Sequence, residues 1–328
     1  MDIKAIQEYL GESWVAVKER MLCALQSDID LLNSTNGSIL SHSGKQMRPM
    51  LGLLMASACS PDGINDSTIS YAAASELLHN ATLLHDDVAD GSMKRRGAPT
   101  IMSLMGPSAS VLVGDYWLVK AMDLIMDADE GNGSGVMRIF SKTLKDLAAG
   151  EMLQLQKAQN GDTDENDYLR IIYSKTASLF EATCVSAAKS VGASEAYVEA
   201  ARVYAVALGT AFQIQDDILD YSGTEAVGKP LGADILEQKI TIPLLGALAQ
   251  ADQETAAAVR GKVRDIVGHP EYRDEIIAFV RDNGGLDYAA GALERYVSEA
   301  VNALSVLPDS KSKDYLVELA YFTARRKM

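Results

Sequence analysis

Within LLHDDVADGSMKRRG, residues 83–97, three carboxylates and two guanidinium groups fall inside eleven positions. Asp86 and Asp90 are four apart and stack on one face of a helix, with Asp87 about 100° round from Asp86. Three carboxylates held this close repel one another, and a helix C-terminus adds to the repulsion because its dipole favours cations. Divalent cations relieve both problems. Hard oxygen ligands without His or Cys suit Mg²⁺, which keeps several waters and commonly bridges carboxylates to substrate phosphates. The arrangement recurs in FQIQDDILDYSG, where Asp216, Asp217 and Asp220 repeat the spacing 130 positions later. One such triplet reads as a solvated helix end. Two copies, each closing an apolar helical stretch and each trailed by basic residues, argue for a shared metal chemistry.

The basic residues supply the other half of that chemistry. Lys45 and Arg48 stand in GKQMRP, Arg95 and Arg96 follow the first triplet, and Lys175 lies in SKTASLF. Lys229 and Lys239 stand in GKPLGADILEQKITIP. A lone lysine is ordinarily a surface charge. Arg and Lys facing carboxylate-bound metal across a common site can grip a diphosphate.

These residues need long helices to carry them. The chain has 328 residues, 48% of them hydrophobic, with no proline between Pro107 and Pro230. A proline-free run of that length favours helices, and strand-like alternation is scarce. The fold class is all-α, a single domain over 1–328 of about a dozen helices. Ile6, Leu10, Val17, Met21 and Leu25 recur at helical spacing, whereas NSTNGSILSHSGKQMRP reads as a loop. Further helices are expected near 48–59, 67–90, 108–127, 135–159, 165–189 and 194–221, then shorter ones to 326. A net charge of −15 argues against non-specific nucleic-acid binding. Cys23, Cys59 and Cys184 lack ligand-like spacing and read as buried thiols of a reducing, cytoplasmic compartment. The acidic amphipathic N-terminus does not resemble a signal peptide, and no apolar run is long enough to span a membrane.

Two DDxxD motifs, GKQMRP before the first, RRG after it and GKPLGAD after the second resemble the trans-prenyltransferases, the isoprenyl diphosphate synthases. The match runs from about residue 40 to 245, nearest to bacterial long-chain polyprenyl diphosphate synthases that make quinone side chains. The resemblance implies a helical bundle round a deep central cavity, a homodimer, and about three Mg²⁺ per active site. It implies that Asp86, Asp87 and Asp90 bind Mg²⁺ gripping an allylic diphosphate, and that Asp216, Asp217 and Asp220 hold the remaining metal. Arg95, Lys175 and Lys239 would contact the allylic diphosphate. Gly44, Lys45, Arg48, His79 and Arg96 would bind isopentenyl diphosphate, and Thr176, Gln213 and Lys229 would flank the reacting groups. His85, Asp115 and Glu151 read as packing or supporting groups. Arg325 and Arg326 in TARRKM stand where some members close the site; a solvated tail is the other reading.

The implied reaction is Mg²⁺-dependent head-to-tail condensation of isopentenyl diphosphate onto farnesyl or geranylgeranyl diphosphate. Product length depends on what lies below Asp86. Ala81 and Thr82 are small, as are Ala73, Ala74 and Ser75, so a growing chain can pass. Leu118, Met122 and Met126 share one face of the expected 108–127 helix and could floor the tunnel. With 5.4 Å per helical turn, a floor two or three turns down gives roughly C30 to C50. The alternatives are a geranylgeranyl diphosphate synthase, a non-catalytic regulatory subunit, a class I terpene cyclase, or a helical interaction protein. The second intact DDxxD and GKQMRP weigh against the last three. A greasy product would meet a membrane surface on release, although no basic amphipathic stretch marks the contact.

Overall fold

The computed structural model describes residues 2–42, 44–60, 63–95, 97–130, 133–222 and 231–325. In chain order the elements are α1 (Ile3–Ala24), α2 (Asp30–Ser41), α3 (Met47–Cys59), α4 (Asp66–Ala89), β1 (Lys94–Arg95), β2 (Ala98–Pro99), α5 (Ile101–Met105) and α6 (Pro107–Asp129). Then follow α7 (Val136–Asn160), α8 (Glu165–Ile172), a π-turn (Tyr173–Ala177), α9 (Ser178–Ser190), α10 (Glu195–Ser222) and α11 (Ala233–Leu236). The chain finishes with α12 (Ile242–Gln250), α13 (Gln253–Arg264), α14 (Tyr272–Asp282), α15 (Gly285–Ala303) and α16 (Lys311–Arg325). The protein is all-α, as its composition implies. The one β feature among the described residues is a two-stranded antiparallel ribbon pairing Lys94 with Pro99 and Arg95 with Ala98. No described helix is long and apolar enough to cross a membrane.

The chain forms two compact units. The first comprises Met1–Ser141, Ala182–Arg202 and Val306–Leu316, and the second Lys142–Glu181, Val203–Ser305 and Val317–Met328.

In the first unit α4 lies along α6 and also packs on α1 and α3. Its start is fixed by a capping box. Asn65 Oδ1 accepts the Thr68 N–H at 2.9 Å, and Thr68 Oγ1 accepts the Asn65 N–H at 3.4 Å. Such reciprocal bonds satisfy two of the amides that a helix start leaves unpaired. Small residues, Ala72, Ala73, Ala74 and Ser75, are fully buried and let neighbouring helices approach α4 closely. α1 buries Ile6, Leu10, Trp14, Val17 and Met21, the stripe read from its periodicity plus one tryptophan.

Residues 33–41, expected as loop, belong to α2. Propensity is overridden there by tertiary bonds. Asn36 is buried, donates to the Leu25 carbonyl at 3.0 Å and accepts the Trp117 indole N–H at 2.7 Å. Cys59 and Cys184 are buried free thiols, but Cys23 is exposed, against expectation. Burial pushes the Cys59 thiol up to about 12.

In the second unit α12, apolar from Ile242 to Ala249, packs against α14 and α15. α8 opens with its own capping box, in which the Asp164 carboxylate accepts the Asp167 N–H at 2.7 Å.

Asn65→Ala removes the α4 cap and the 2.6 Å bond from Asn65 Nδ2 to the Ser190 carbonyl. The expected cost is about 1–2 kcal/mol, read as a lower urea midpoint at unchanged m-value. An unchanged midpoint would show that the cap does not hold this helix.

Candidate active site

In the first unit the acidic motif closes α4. Asp86 is half-buried, Asp87 is 4% exposed, and Asp90, the C-cap, is exposed. Withdrawing Asp87 from water requires a partner, and Arg95 provides it, its Nε donating to Asp87 Oδ1 at 2.8 Å. The β ribbon brings that guanidinium back. Gly97, at φ 81°, lies between the strands where only glycine is at ease. The ribbon is tied down by the Thr100 hydroxyl donating to the Ser92 carbonyl at 2.7 Å. Asp86 and Asp90 keep the shared face expected from their spacing.

Gly44 and Lys45 are exposed, and Gln46 at φ 49° turns the chain into α3, where Arg48 is half-buried. His79 is half-buried on α4. His85 acts in packing, as expected. Its ring lies against Gly114, where a Cβ would collide with it, and its Nε2 is 3.2 Å from Asp115 Oδ1. Ala81 is fully buried, while Thr82 and Met122 are half-buried. Met126 is 46% exposed, and Leu118 is half-buried like Met122.

The second unit brings together Lys175, Thr176, Gln213, Asp216, Asp217, Asp220 and Lys239. Lys175 and Thr176 sit in the π-turn, a widened helical turn of a kind often found at functional sites. Two glycines make room for it. A Cβ on Gly150 of α7 would lie 2.5 Å from Ser174 Cβ, and one on Gly209 of α10 would lie 2.6 Å from Ala177 Cα. The Tyr173 hydroxyl donates to Glu181 at 2.8 Å and accepts from Lys142 Nζ at 3.0 Å. Lys142 also pairs with Asp146, and both bonds hold its ammonium above the usual lysine range.

Lys175 Nζ meets Glu151 at 2.5 Å and Gln154 Oε1 at 3.1 Å. Thr176 Oγ1 donates to Gln213 Oε1 at 3.0 Å, and Gln213 Nε2 donates to Asp217 Oδ1 at 3.0 Å. Asp217 is 1% exposed, and its second oxygen accepts the Tyr168 hydroxyl at 2.6 Å. Burial raises the Asp217 carboxyl well above the carboxylate range, and nearby Asp234 adds to this, against the lowering effect of Tyr168 and Gln213. Asp220 caps α11, its two oxygens accepting the N–H groups of Ala233 at 3.0 Å and Asp234 at 3.2 Å. Lys239 pairs with Asp234 at 3.5 Å and with Glu237.

Arg96, Lys229 and Arg326 lie outside the described residues; Arg325 is exposed, over the Tyr321 ring. Sequence reasoning missed Tyr168, Gln154 and Asp234. Asp234 stands inside the quoted GKPLGAD, so a signal existed for it. Tyr168 reads as one more core position of an amphipathic helix, and its bond to Asp217 spans 49 residues.

Residues 29–278 match the Polyprenyl synthetase family model. The octaprenyl diphosphate synthase of Haemophilus influenzae is 37% identical over 327 residues, covering 99% of this chain and 98% of that one. The crystal structure of a decaprenyl diphosphate synthase from Rhodobacter capsulatus has a TM-score of 0.91 at 34% identity, with 100% of both chains covered. A polyprenyl synthase from Caulobacter crescentus CB15, complexed with calcium and isoprenyl diphosphate, has a TM-score of 0.88 at 32% identity. It covers 100% of this chain and 98% of that chain. The chain therefore belongs to the polyprenyl synthetase family. It is a prenyltransferase.

Gly150→Ala and Gly209→Ala each force the π-turn to shift. Each is expected to destabilise the protein by about 1–3 kcal/mol and to lower prenyl-transfer kcat, measured beside thermal unfolding on purified variants. Wild-type kcat in both would separate the π-turn from catalysis.

Proposed function

We propose that the protein condenses isopentenyl diphosphate head to tail onto an allylic diphosphate, farnesyl or geranylgeranyl, and releases an all-trans long-chain polyprenyl diphosphate. The reading is carried by two acidic motifs, each with a buried central aspartate held by protein donors and each with a basic partner nearby in its own unit. The octaprenyl and decaprenyl relatives support a product of roughly C30 to C50, and a quinone side chain is its natural destination. The two units act as one polyprenyl synthetase domain, which the family match supports because it spans segments of both.

The donor set suits Mg²⁺. It consists of carboxylates alone, and Asp86 and Asp90 share one face. Among the described residues no group of three or more His, Cys, Asp or Glu is assembled to hold a metal ion. Mg²⁺ completes its shell with waters and substrate phosphate oxygens. Asp86, Asp87, Asp90, Asp216, Asp217 and Asp220 would hold about three ions per site, Asp217 and Asp220 while also accepting protein donors. Mg²⁺, when bound, supplies a Lewis acid that offsets charge developing on the departing diphosphate.

The chain's own residues do the rest. Arg95, Lys175 and Lys239 present positive charge to the allylic diphosphate as its C–O bond breaks. Gly44, Lys45, Arg48, His79 and Arg96 orient isopentenyl diphosphate so that its double bond meets the allylic cation. Thr176, Gln213 and Lys229 flank the reacting carbons. Small apolar residues of α4, Ala81 among them, keep water from quenching the cation. Loss of a proton, for which the departing diphosphate is a suitable acceptor, regenerates an allylic product five carbons longer.

A homodimer is part of the proposal. Leu112, Val119 and Met126 of α6 recur every seventh position and are all exposed, an apolar seam of the kind helices bury against partners. The cytoplasm suits its three free thiols.

Labelled isopentenyl diphosphate, farnesyl diphosphate and Mg²⁺ should give products extended by several C5 units, with turnover abolished by chelator. Asp86→Asn and Asp216→Asn should each lower kcat by about 10²-fold or more. A cyclic hydrocarbon, or no turnover by the wild type, defeats the proposal. Ala81→Phe should shorten the product to roughly C15–C20 by blocking passage about one turn below Asp86. Unchanged length by mass spectrometry would show that the chain grows elsewhere.

A further inference from the structure

We propose that Tyr168 is a positioning residue of the condensation, acting through Asp217, Gln213 and Thr176 on the π-turn that carries Lys175. The inference rests on the prenyltransferase reading above. It starts from four side chains joined end to end within the second unit. The Tyr168 hydroxyl donates to one oxygen of Asp217 at 2.6 Å, and Gln213 donates to the other at 3.0 Å. The Gln213 carbonyl in turn accepts the Thr176 hydroxyl at 3.0 Å.

The order of donors matters. With Asp217 accepting on both oxygens, Gln213 must turn its amide NH₂ to the carboxylate and its carbonyl to Thr176. Thr176 must then spend its proton on Gln213, which leaves its oxygen lone pairs for the neighbouring space. Tyr168 thus holds in place the carboxylate that orients Gln213 and, through it, the Thr176 hydroxyl. Asp217 is deeply buried, so it cannot replace a lost donor with bulk water.

α8 is built to hold Tyr168 still. Beyond its capping box, Lys157 reaches Asp162 at 3.3 Å and Asp167 at 2.7 Å. Arg260 donates to the carbonyls of Gly161 at 3.1 Å and Thr163 at 3.0 Å, and the Tyr288 hydroxyl donates to Glu165 at 2.6 Å. These tethers converge on the first turn of an eight-residue helix whose inward face is Tyr168, Ile171 and Ile172. The prenyl-transfer chemistry makes no direct use of that helix, and fixing Tyr168 gives the tethers a purpose.

The test compares wild type, Tyr168→Phe, Thr176→Val and the double variant. In Tyr168→Phe, amide hydrogen exchange over 173–177 should quicken by about tenfold or more, with α1 and α3 unaffected. Its kcat should fall about 10- to 100-fold, with both KM values within about twofold. The double variant should be no slower than the slower single, since both cut one chain. A merely structural tyrosine would lower the melting temperature and leave this kcat-against-KM split absent. Unchanged exchange at the π-turn, or losses that multiply in the double variant, overturns the proposal. If Tyr168→Phe does not fold, 3-fluorotyrosine at position 168 keeps the hydroxyl, and Thr176→Val must then move its ¹⁹F resonance; an unmoved resonance also overturns it. Wild-type protein without turnover would instead defeat the prenyltransferase reading, while exchange and ¹⁹F still decide the relay.

Discussion

Like charge crowded at a helix end is the constraint that both acidic motifs answer. Each places three carboxylates where the helix dipole already disfavours them. The chain buries part of that charge. It withdraws the central one and satisfies it, Asp87 with the Arg95 guanidinium and Asp217 with the Tyr168 hydroxyl and the Gln213 amide. In the second motif the last carboxylate is also engaged, as the cap of α11. Identical sequence spacing is therefore supported in two chemically different ways. A charged partner serves Asp87, and neutral donors serve Asp217. Burial already raises the Asp217 carboxyl, and neutral donors add no further buried charge there.

A related economy governs the cations. Each described cation expected at the allylic diphosphate rests against an acid: Arg95 on Asp87, Lys175 on Glu151, and Lys239 on Asp234 and Glu237. Holding these side chains in advance reduces the rotamer entropy lost when an anion arrives. It also sets a threshold. An arriving anion must compete with a carboxylate already in place, and a diphosphate accompanied by metal competes far better than a singly charged group. Under the proposed function, preorganisation and selection for high charge would come from the same pairs.

How legible this was in the sequence depends on the range of the interaction. Periodicity over α4, α7 and α10 sufficed because the pattern and the element occupy the same residues. The Asp86–Asp90 face followed from a four-residue spacing. α2 was hidden, since its Asn, Ser and Thr residues look like loop until Asn36 is seen bonded to Trp117, 81 positions away. Glu151 gave a packing signal, but its hold on Lys175 crosses between two elements. The π-turn left no trace, because Tyr-Ser-Lys-Thr-Ala is ordinary helical sequence and its widening is set by Gly150 and Gly209 on neighbouring helices. The division into two compact units was likewise not visible, since no Pro- or Gly-rich linker marks it.

That widening is what lets one stretch of chain serve two ends. In an unbroken α-helix, positions seven apart return to nearly the same face, so Tyr168 and Lys175 would point the same way. One additional residue in a turn rotates everything beyond it by about 100°. Tyr168 can then be committed to the interior and Asp217 while Lys175 turns to Glu151 of α7 and Thr176 to Gln213 of α10. A π-turn is less favourable than the α-helix it replaces, so it persists only where its surroundings determine it. Those surroundings are specific: two glycines that leave room on either side, the Tyr173 hydroxyl between Lys142 and Glu181, and the Ser178 hydroxyl donating to the Ser174 carbonyl at 2.8 Å. The placement of Lys175 is thus a property of two neighbouring helices acting on a third stretch of chain, and a lysine at the same sequence position in a straight helix would not substitute for it.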